Sequence, residues 1–287
     1  MQRSDFRCFH RLRVRWSEVD IQKIVFNAHY LTYADCAMTE YWRALALPYE
    51  TGMQALGGEV YLKKASVEYH ASARLDDLLD VGMRCARVGT TSLVFEASMF
   101  AGDRLLVTVE LVYVFADPAT QTKRAVPPAL RAMIEHFEAG GEMVELRVGD
   151  WATLGRDATA LRTAVFVQEQ GIAPEIELDA LDATAVHAVA YNRLGLPVAT
   201  GRLLQDAPGE ARIGRMAVDR VLRGQRWGRM VLDALVQAAR ARGDAQVTLH
   251  AQCSAEAFYR RAGFEAVGQP YEEAGIAHIT MRRSLQG

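Results

Sequence analysis

Apolar and polar residues follow two distinct periods in the first half of the chain. From residue 29 to 46 apolar side chains recur every three or four positions, the spacing of an amphipathic helix, and Pro48 predicts its end. Residues 91 to 100 and 104 to 116 instead alternate, which is typical of strands. In the first of these, Leu93, Phe95, Ala97 and Met99 are expected on one face, and Ser92, Glu96 and Ser98 on the other. Further strands are expected near 9–16, 59–71 and 78–88, followed by a helix from 128 to 137. One long helix with several long strands predicts an antiparallel sheet wrapped around a helix.

The second half mixes the two periods. It predicts helices at 157–169, 228–242 and 254–262, and strands at 143–148, 185–193, 197–205, 211–218, 245–251 and 276–283. Gly243 stands where a helix-terminating glycine is expected, and Ser254 where an N-cap is expected. This half therefore predicts a mixed α/β domain.

The run Glu138-Ala139-Gly140-Gly141 separates the two patterns. We place a domain boundary there, which gives residues 1–140 and 141–287, and an α+β fold class for the whole chain. A length of 287 residues suits two ordinary domains.

Composition and charge exclude several classes of protein. The net charge of −2 predicts no general attraction to nucleic acid or acidic membranes, although four arginines cluster between residues 220 and 229. No apolar run approaches the roughly 20 residues of a membrane span, and the N-terminus has no signal-peptide core. The four cysteines are scattered without ligand spacing, which favours the cytoplasm and predicts neither a disulfide framework nor a metal site.

A carboxylate just before the first long helix is the first candidate for chemistry. Asp20 could activate water or attack a carbonyl, and the unpaired N–H groups at the helix start near Asn27 could hold an oxyanion. The helix start is expected in a protected cleft. Glu18 is an equally available carboxylate, and a turn or cap role for Asp20 is the ordinary alternative.

The stretch RVRWSEVDIQKIVFNAHYLTYADCAMTEYWRAL (13–45) resembles the opening of hotdog-fold acyl-CoA thioesterases of the YbgC and 4-hydroxybenzoyl-CoA thioesterase type, and the similarity extends over residues 9–137. The resemblance implies that Asp20 is the catalytic carboxylate and that the backbone N–H of Asn27 polarises the thioester carbonyl. It also implies a homodimer or homotetramer with active sites at subunit interfaces. Ser92 would then lie near the CoA chain, although an exposed strand face explains it equally well.

Two positions depart from the pattern of those thioesterases. The usual Gly is Lys23, and the chain has Asn27-Ala28-His29-Tyr30 where many members have His-Ala-Asn-Tyr. The role of His29 is therefore open: it could bond to Asp20, contact the acyl group or pack.

A glycine-containing turn is the second candidate site. A strand ends near Val218, and Arg223 to Gly228 lead into an apolar-faced helix. Successive N–H groups in such a turn bind phosphate, and arginines beside it suit the 3′-phosphate of coenzyme A.

This half resembles the GNAT superfamily of acyltransferases, specifically its ElaA-like branch, in the blocks LRTAVFVQEQ, IGRMAVDRVLRGQRWG, FYRRAGF and YEEAGIAHITM. The resemblance implies that Met216, Ala217 and Val218 pair with the pantetheine. It implies that the turn formed by Arg223, Gly224, Gln225, Arg226, Trp227 and Gly228 holds the pyrophosphate. Tyr259 would protonate the departing thiolate, with a packed aromatic as the alternative. The central Gly of the usual R-G-x-G-x-G is Arg226, which ElaA-like sequences also replace by a basic residue.

The base that would activate an attacking amine stays open among Glu175, Glu177, Asp179, His187, His250 and His278. His278 lies in the block YEEAGIAHITM, which resembles the GNAT superfamily, and this position favours a structural role or a role in substrate binding. Cys253 is interpreted as a small core residue.

The sequence thus predicts a bifunctional enzyme without a prosthetic group, which uses acyl-CoA and acetyl-CoA as substrates and an unknown amine as acceptor. The alternative, motivated by Lys23 and Arg226, is that one domain is silent and serves as a CoA-binding sensor or oligomerisation module.

Overall fold

The computed structural model describes residues 1–286. The chain divides into an N-terminal unit, Met1–Met143, and a C-terminal unit from Val144 onward. The boundary that the sequence places after Gly140 lies in the turn just before this division.

In the N-terminal unit a five-stranded antiparallel sheet packs against one long helix. The strands are β1 Cys8–Arg13, β2 Glu59–Tyr69, β3 Leu78–Val88, β4 Ser92–Ala101 and β5 Arg104–Ala116, in the order β1-β3-β4-β5-β2. The helices are α1 His29–Ala44, α2 Tyr49–Leu56 and α3 Pro128–Glu138. Helix α1 lies on β1, β3 and β5 and buries seven side chains: Tyr30, Tyr33, Ala34, Ala37, Met38, Tyr41 and Trp42.

The predicted core face of β4 is confirmed, since Leu93, Phe95, Ala97 and Met99 are fully buried. The opposite face is not the exposed one that the alternation predicts, because Ser98 is also fully buried. The N-terminal segment covers that face: Ser98 contacts the sulfur of Met1, and the Phe6 ring occupies the space left by the absent side chain of Gly82.

The C-terminal unit has a seven-stranded sheet in the order β11-β12-β10-β9-β8-β7-β6. Its strands are β6 Val144–Gly149, β7 Val186–Asn192, β8 Pro197–Ala207, β9 Glu210–Val218, β10 Gln246–Gln252, β11 Glu265–Glu273 and β12 Ile276–Ser284. Its helices are α4 Trp151–Arg162, α5 Pro174–Glu177, α6 Trp227–Arg242 and α7 Glu256–Arg261, and a π-helical segment at Thr163–Glu169 continues α4. Strand β7 is buried at every position after its first, and β8 is buried from Val198 to Leu204, as expected for strand segments covered by helices on both faces.

Strands β9 and β10 separate halfway along their length. They are parallel and paired from Glu210 to Ile213, and the pairing ends there. Beyond that point Arg215 adopts φ +53° within a bulge against β8. A bulge bends the strand that carries it and re-aims its side chains. The second half of β9 is therefore left with an unpaired edge beside β10.

Several predicted boundaries are wrong for local reasons. Helix α4 begins at Trp151 because the Asp150 carboxylate caps it by accepting from the N–H of Thr153, six residues before the predicted start at 157. Ser254 is not the N-cap of the last helix: it lies in a 3₁₀ turn, Cys253–Ala255, and α7 begins at Glu256. Helix α2 and strand β11 were not predicted. Gly243 does end α6, in the left-handed conformation expected of it (φ +90°).

Candidate active sites

In the N-terminal unit a tight hairpin presents Asp20 next to the start of α1. Val19 bridges to Val25, the N–H of Asp20 donates to the Ile24 carbonyl (2.9 Å), and the N–H of Phe26 donates to the Glu18 carbonyl (2.9 Å). One carboxylate oxygen of Asp20 accepts the N–H of Gln22 (2.8 Å). The other has no hydrogen-bond partner in residues 1–286, so it can bind a water molecule.

The start of α1 carries no side-chain cap. Its N-cap is Ala28, whose side chain has no oxygen that could accept a hydrogen bond from the first N–H groups of the helix. Within the described chain the N–H of Asn27 donates to no acceptor, whereas its carbonyl accepts from the hydroxyl of Tyr69 (3.1 Å). An anchored peptide with a free N–H is the kind of group that can hold a developing oxyanion.

The structure distinguishes the two carboxylates that the sequence leaves equivalent. Glu18 is 2% exposed and is bound by Arg15 and by the hydroxyl of Tyr33 (2.7 Å). Although burial raises the pKa of Glu18, these hydrogen bonds outweigh it and hold the pKa below its usual value. Both oxygens of Glu18 thus serve the fold, which leaves Asp20 as the carboxylate available for chemistry.

Residues 1–286 of a single chain do not form the expected protected cleft around the helix start. Asn27 and Ala28 are exposed, and the apolar side chains beside Asp20 lie open, with Trp16 80% and Ile21 98% exposed. His29 packs its ring edge-on against Phe26 and makes no hydrogen bond to Asp20 among the described residues. Ser92 is half-buried at the start of β4, and its proximity to CoA stays a prediction.

In the C-terminal unit the turn from Arg223 to Gly228 offers main-chain donors at the start of α6. Gly224 and Arg226 both adopt positive φ, +87° and +69°. In the described part of the chain, the N–H groups of Gly224, Arg226 and Trp227 donate to no acceptor. Gly228 lets α6 approach β9, because a Cβ there would lie 3.0 Å from the Val218 side chain. The predicted phosphate-binding residues thus form one continuous turn with open donors.

The arginines of this turn differ in what they can bind. Arg223 is engaged by the protein, since both of its terminal nitrogens bind the Glu169 carboxylate at 2.7 Å. Its side chain is thus engaged by Glu169 in the described residues, and a role for Arg223 in phosphate binding stays a prediction. Arg226 is exposed and its guanidinium makes no ion pair or hydrogen bond within residues 1–286, so it is available to an anion.

A cavity of about 170 Å³ opens where β9 and β10 separate. Met216 of β9 and Tyr259 of α7 both line it, so the structure brings together two predicted site residues that are 43 positions apart (259 − 216). Ala217 is buried and Val218 half-buried at the end of the same strand. Phe166, Gln170, Ile172, Ile176, Arg215 and Gln252 also line the cavity, and none of them was singled out from the sequence.

Tyr259 is 9% exposed, with its ring against Phe258 and Phe264. Its hydroxyl has no hydrogen-bond partner in the described residues. Burial raises the pKa of Tyr259 to about 12, so the phenol stays protonated at neutral pH. A protonated phenol on a residue that lines a cavity can donate a proton to a leaving group bound there.

The structure divides the six candidate bases. Glu177, His250 and His278 line the cavity; Glu175, Asp179 and His187 do not. His187 is fully buried against Trp151, and burial lowers its pKa. Cys253 is half-buried, so its interpretation as a core residue is wrong.

A buried network of charges supports one wall of the cavity. Arg162 binds Glu177 (2.5 Å) and Asp182 (2.8 Å), and Arg202 binds Asp182 (2.7 Å) and Asp179 (2.7 Å). Arg215 joins the bulge of β9 to the same acids and to the carbonyl of Ile176. The hydrogen bonds between Asp179 and Arg202 hold the pKa of Asp179 below its usual value, whereas burial raises the pKa of Glu177. The network fixes the segment around α5 beside the cavity.

Among the helices of residues 1–286, none combines the length and the apolar character needed to cross a bilayer. No group of three or more His, Cys, Asp or Glu side chains in that part of the chain is placed to hold a metal ion.

Comparison with known proteins matches the two halves separately. The thioesterase superfamily matches residues 22–108, and the acetyltransferase (GNAT) domain family matches residues 158–285. Acyl-CoA thioester hydrolase YbgC of Escherichia coli O6:H1 is 33% identical over 125 residues, covering 42% of this chain and 90% of YbgC. The uncharacterized N-acetyltransferase YjcF of Bacillus subtilis is 32% identical over 130 residues, covering 45% of this chain and 91% of YjcF. The crystal structure of Escherichia coli ElaA, 31% identical, overlays with a TM-score of 0.45 and covers 49% of this chain and 99% of ElaA.

Proposed function

The chain belongs to the thioesterase superfamily through its N-terminal half and to the GNAT acetyltransferases through its C-terminal half, and from that premise we propose that it is a bifunctional enzyme of coenzyme A thioesters. The N-terminal unit hydrolyses acyl-CoA. The C-terminal unit transfers an acetyl or acyl group from CoA to an amine. Acyl-CoA and acetyl-CoA are thus the substrates of both reactions.

Hydrolysis is supported by the hairpin that carries Asp20 and leads directly into Asn27, whose N–H donates to no acceptor among the described residues. The unpaired carboxylate oxygen takes a proton from water, or attacks the thioester carbon directly. The N–H of Asn27 then stabilises the negative charge that develops on the carbonyl oxygen. This placement of a carboxylate and an unused donor is the observation that carries the hydrolase assignment.

The proposed acyl transfer is supported by the cavity that residues of β9 and Tyr259 line together. The open N–H groups of the turn after β9 suit the pyrophosphate, and the free edge of β9 at Met216 to Val218 suits the amides of pantetheine. Tyr259 donates its proton to the CoA sulfur when the C–S bond breaks.

The exposed apolar side chains of Trp16 and Ile21, beside Asp20, form a surface that a second copy of the chain could bury. We propose that the N-terminal unit forms a homodimer, or a homotetramer built from two such dimers. Strand β2 is an edge of the sheet and Leu62 on it is 51% exposed, which is a surface that another chain can pair with.

The substitution Asp20→Asn tests the hydrolase. Removal of the base is expected to lower acyl-CoA hydrolysis by about 10²–10⁴-fold while transfer to amines is unchanged. Thiol release from acyl-CoA of increasing chain length, with and without an amine library, measures both activities. Asp35→Asn, at an exposed position on α1, is the matched control and should behave as wild type. Full hydrolysis by the Asp20→Asn protein would refute the assignment, and a wild-type unit that binds CoA without turnover would make that unit a sensor.

A further inference from the structure

We propose that His278 is the general base of the C-terminal unit and that its Nε2 atom accepts the proton of the acceptor amine. This inference rests on the acyl transfer proposed above and goes beyond it, because it selects one residue among six candidates.

His278 lies on β12, between β10 and β11 in the sheet. It pairs with Gln252 of β10 on one side and with Tyr271 of β11 on the other. Its side chain lines the same cavity as Tyr259. An amine in that cavity can therefore be reached by both side chains.

A single hydrogen bond defines the tautomer of His278. Its Nδ1 atom lies 2.8 Å from the carbonyl oxygen of Ile276. A carbonyl oxygen only accepts, so Nδ1 must carry the hydrogen in this bond. In the neutral ring Nε2 is then unprotonated and presents a lone pair. Nε2 has no partner in residues 1–286, so this lone pair is free for a substrate proton.

The ring is also held in place by stacking. The Tyr271 ring lies against it at 6.2 Å with an interplanar angle of 25°. A general base is effective when its orientation is established before the substrate arrives. The carbonyl bond and the stacked ring provide two such restraints.

The other candidates lack this combination. Glu177 has one oxygen on Arg162 and the other on Arg215, so it has no free acceptor for a substrate proton. The His250 Nδ1 atom contacts the hydroxyls of Tyr271 and Thr280, which can donate or accept, and neither defines which nitrogen is protonated. Glu175, Asp179 and His187 do not line the cavity.

Protons and bonds balance in the resulting reaction. The ammonium form of the acceptor gives one proton to Nε2 of His278, which returns it to water. The freed nitrogen lone pair forms a bond to the thioester carbon, and the C–S bond breaks. The sulfur takes the proton of Tyr259, and the second proton lost by the nitrogen restores the phenol. The net products are an amide, free CoA and one proton.

A matched pair of amines tests the role of the base. Ethylamine is almost entirely protonated at neutral pH, whereas trifluoroethylamine is largely unprotonated and needs no base before attack. With acetyl-CoA, His278→Gln should lower kcat/KM for ethylamine by about 10²–10⁴-fold and for trifluoroethylamine far less. The ethylamine rate of the variant should recover as the pH rises toward the pKa of the amine. His250→Gln is the control and should affect both amines equally.

The pH profile must be interpreted with the charged groups that face His278. These are Tyr271 and Glu273 of β11, His250 of β10, Glu177 of α5 and Arg215 of β9. In His278→Gln the ethylamine rate should fall near neutral pH and rise only as the amine itself loses its proton, whereas His250→Gln should keep the shape of the wild-type profile. This pair of results supports the proposal. Equal losses for both amines, or an unchanged rate, would overturn it while leaving the transferase intact. A wild-type protein that acetylates no amine would overturn the proposed function and this inference together.

Discussion

The two candidate sites differ in how much of each is built by one copy of the chain. In the C-terminal unit, α5, α7, the π-helical segment and strands β9 to β12 surround the cavity from several sides. In the N-terminal unit, Asp20 lies on an open hairpin whose neighbours Trp16 and Ile21 face outward. One site is enclosed by its own unit, and the other lies open beside exposed apolar side chains.

This difference has a physical consequence for catalysis. A carboxylate and an oxyanion donor act more strongly where water is excluded, since electrostatic interactions strengthen as the local dielectric falls. Tyr259 already has that environment, since it is 9% exposed, and this burial raises its pKa to about 12. The site at Asp20 lacks it until another surface covers the hairpin. We therefore expect hydrolysis, but not transfer, to depend on association of two chains.

The strongest test of this contrast is Leu62→Asp on the edge strand β2. A buried charge at the proposed contact should give a smaller species in light scattering and lower hydrolysis by about 10²–10⁴-fold, to the level of Asp20→Asn. Transfer should be unchanged.

The matched control for this substitution is on the other sheet. Val148 lies on the edge strand β6 of the C-terminal unit and is 48% exposed, close to the exposure of Leu62. Val148→Asp should alter neither activity nor the oligomeric state. An associated and fully active Leu62→Asp protein would show that the hydrolytic site is complete in one chain.

The second-largest expected effect is the loss of transfer activity when the hydroxyl of Tyr259 is removed. Tyr259→Phe should lower kcat for transfer by about 10²-fold or more, with CoA binding and hydrolysis unchanged. Because the neutral phenol is the active form, transfer should persist above the ordinary tyrosine pKa of about 10. Tyr191→Phe is the control: this buried tyrosine donates to Asp157 (2.9 Å) but does not line the cavity, so its loss should affect stability alone. An alkaline limb with a midpoint below 10 that vanishes in Tyr259→Phe would contradict a pKa raised by burial.

At the open site the main-chain donor can be removed by itself. Asn27→Pro deletes the unpaired N–H and should lower kcat for hydrolysis by about 10²–10³-fold. Since that N–H makes no bond within the described chain, the fold should tolerate its loss. Asn27→Ala keeps the N–H and should retain wild-type hydrolysis. Equal losses in both variants would assign the effect to the side chain and exclude the oxyanion role.

Elements with a strong period could be predicted from the sequence. The long helix, the five strands of the first sheet and α6 appear within a few residues of their predicted bounds, because a long amphipathic pattern has one way to bury its apolar side. Strand β11 was missed because it is exposed along almost its whole length and has no apolar alternation. The start of α4 was misplaced because its signal was a single capping residue, Asp150.

A part of a candidate site could be predicted from the sequence only where residues adjacent in the chain form it by themselves. The turn after β9 is such a case. The cavity is not, because it arises from a divergence of two strands and from Arg215 at positive φ, a bulge that no local pattern marks. Choosing Asp20 over Glu18 likewise required a distant partner, Tyr33 on α1, to show that Glu18 is engaged. Long-range pairing sets these features, and a single sequence does not display it.

The smallest expected effect concerns a feature that the two sites share. The resemblances described above lead one to expect glycine at the positions of Lys23 and Arg226, and both residues adopt left-handed backbone, φ +62° and +69°. The backbone path that glycine would take is thus kept at each site, and each residue bears strain of about 1–2 kcal/mol. This geometry argues against either replacement as a mark of a silent domain.

Lys23→Gly and Arg226→Gly should therefore each raise the free energy of unfolding by about 1 kcal/mol, measured by denaturant titration of each unit. Arg226→Gly should also weaken CoA binding to the C-terminal unit, because the turn loses its free guanidinium. The control variants are Lys63→Gly on β2 and Arg240→Gly on α6. They place glycine in regular structure and should lower the free energy of unfolding by about 0.5–1 kcal/mol. If all four variants lost stability alike, the positive φ values of Lys23 and Arg226 would cost nothing, and the backbone strain inferred above would be refuted.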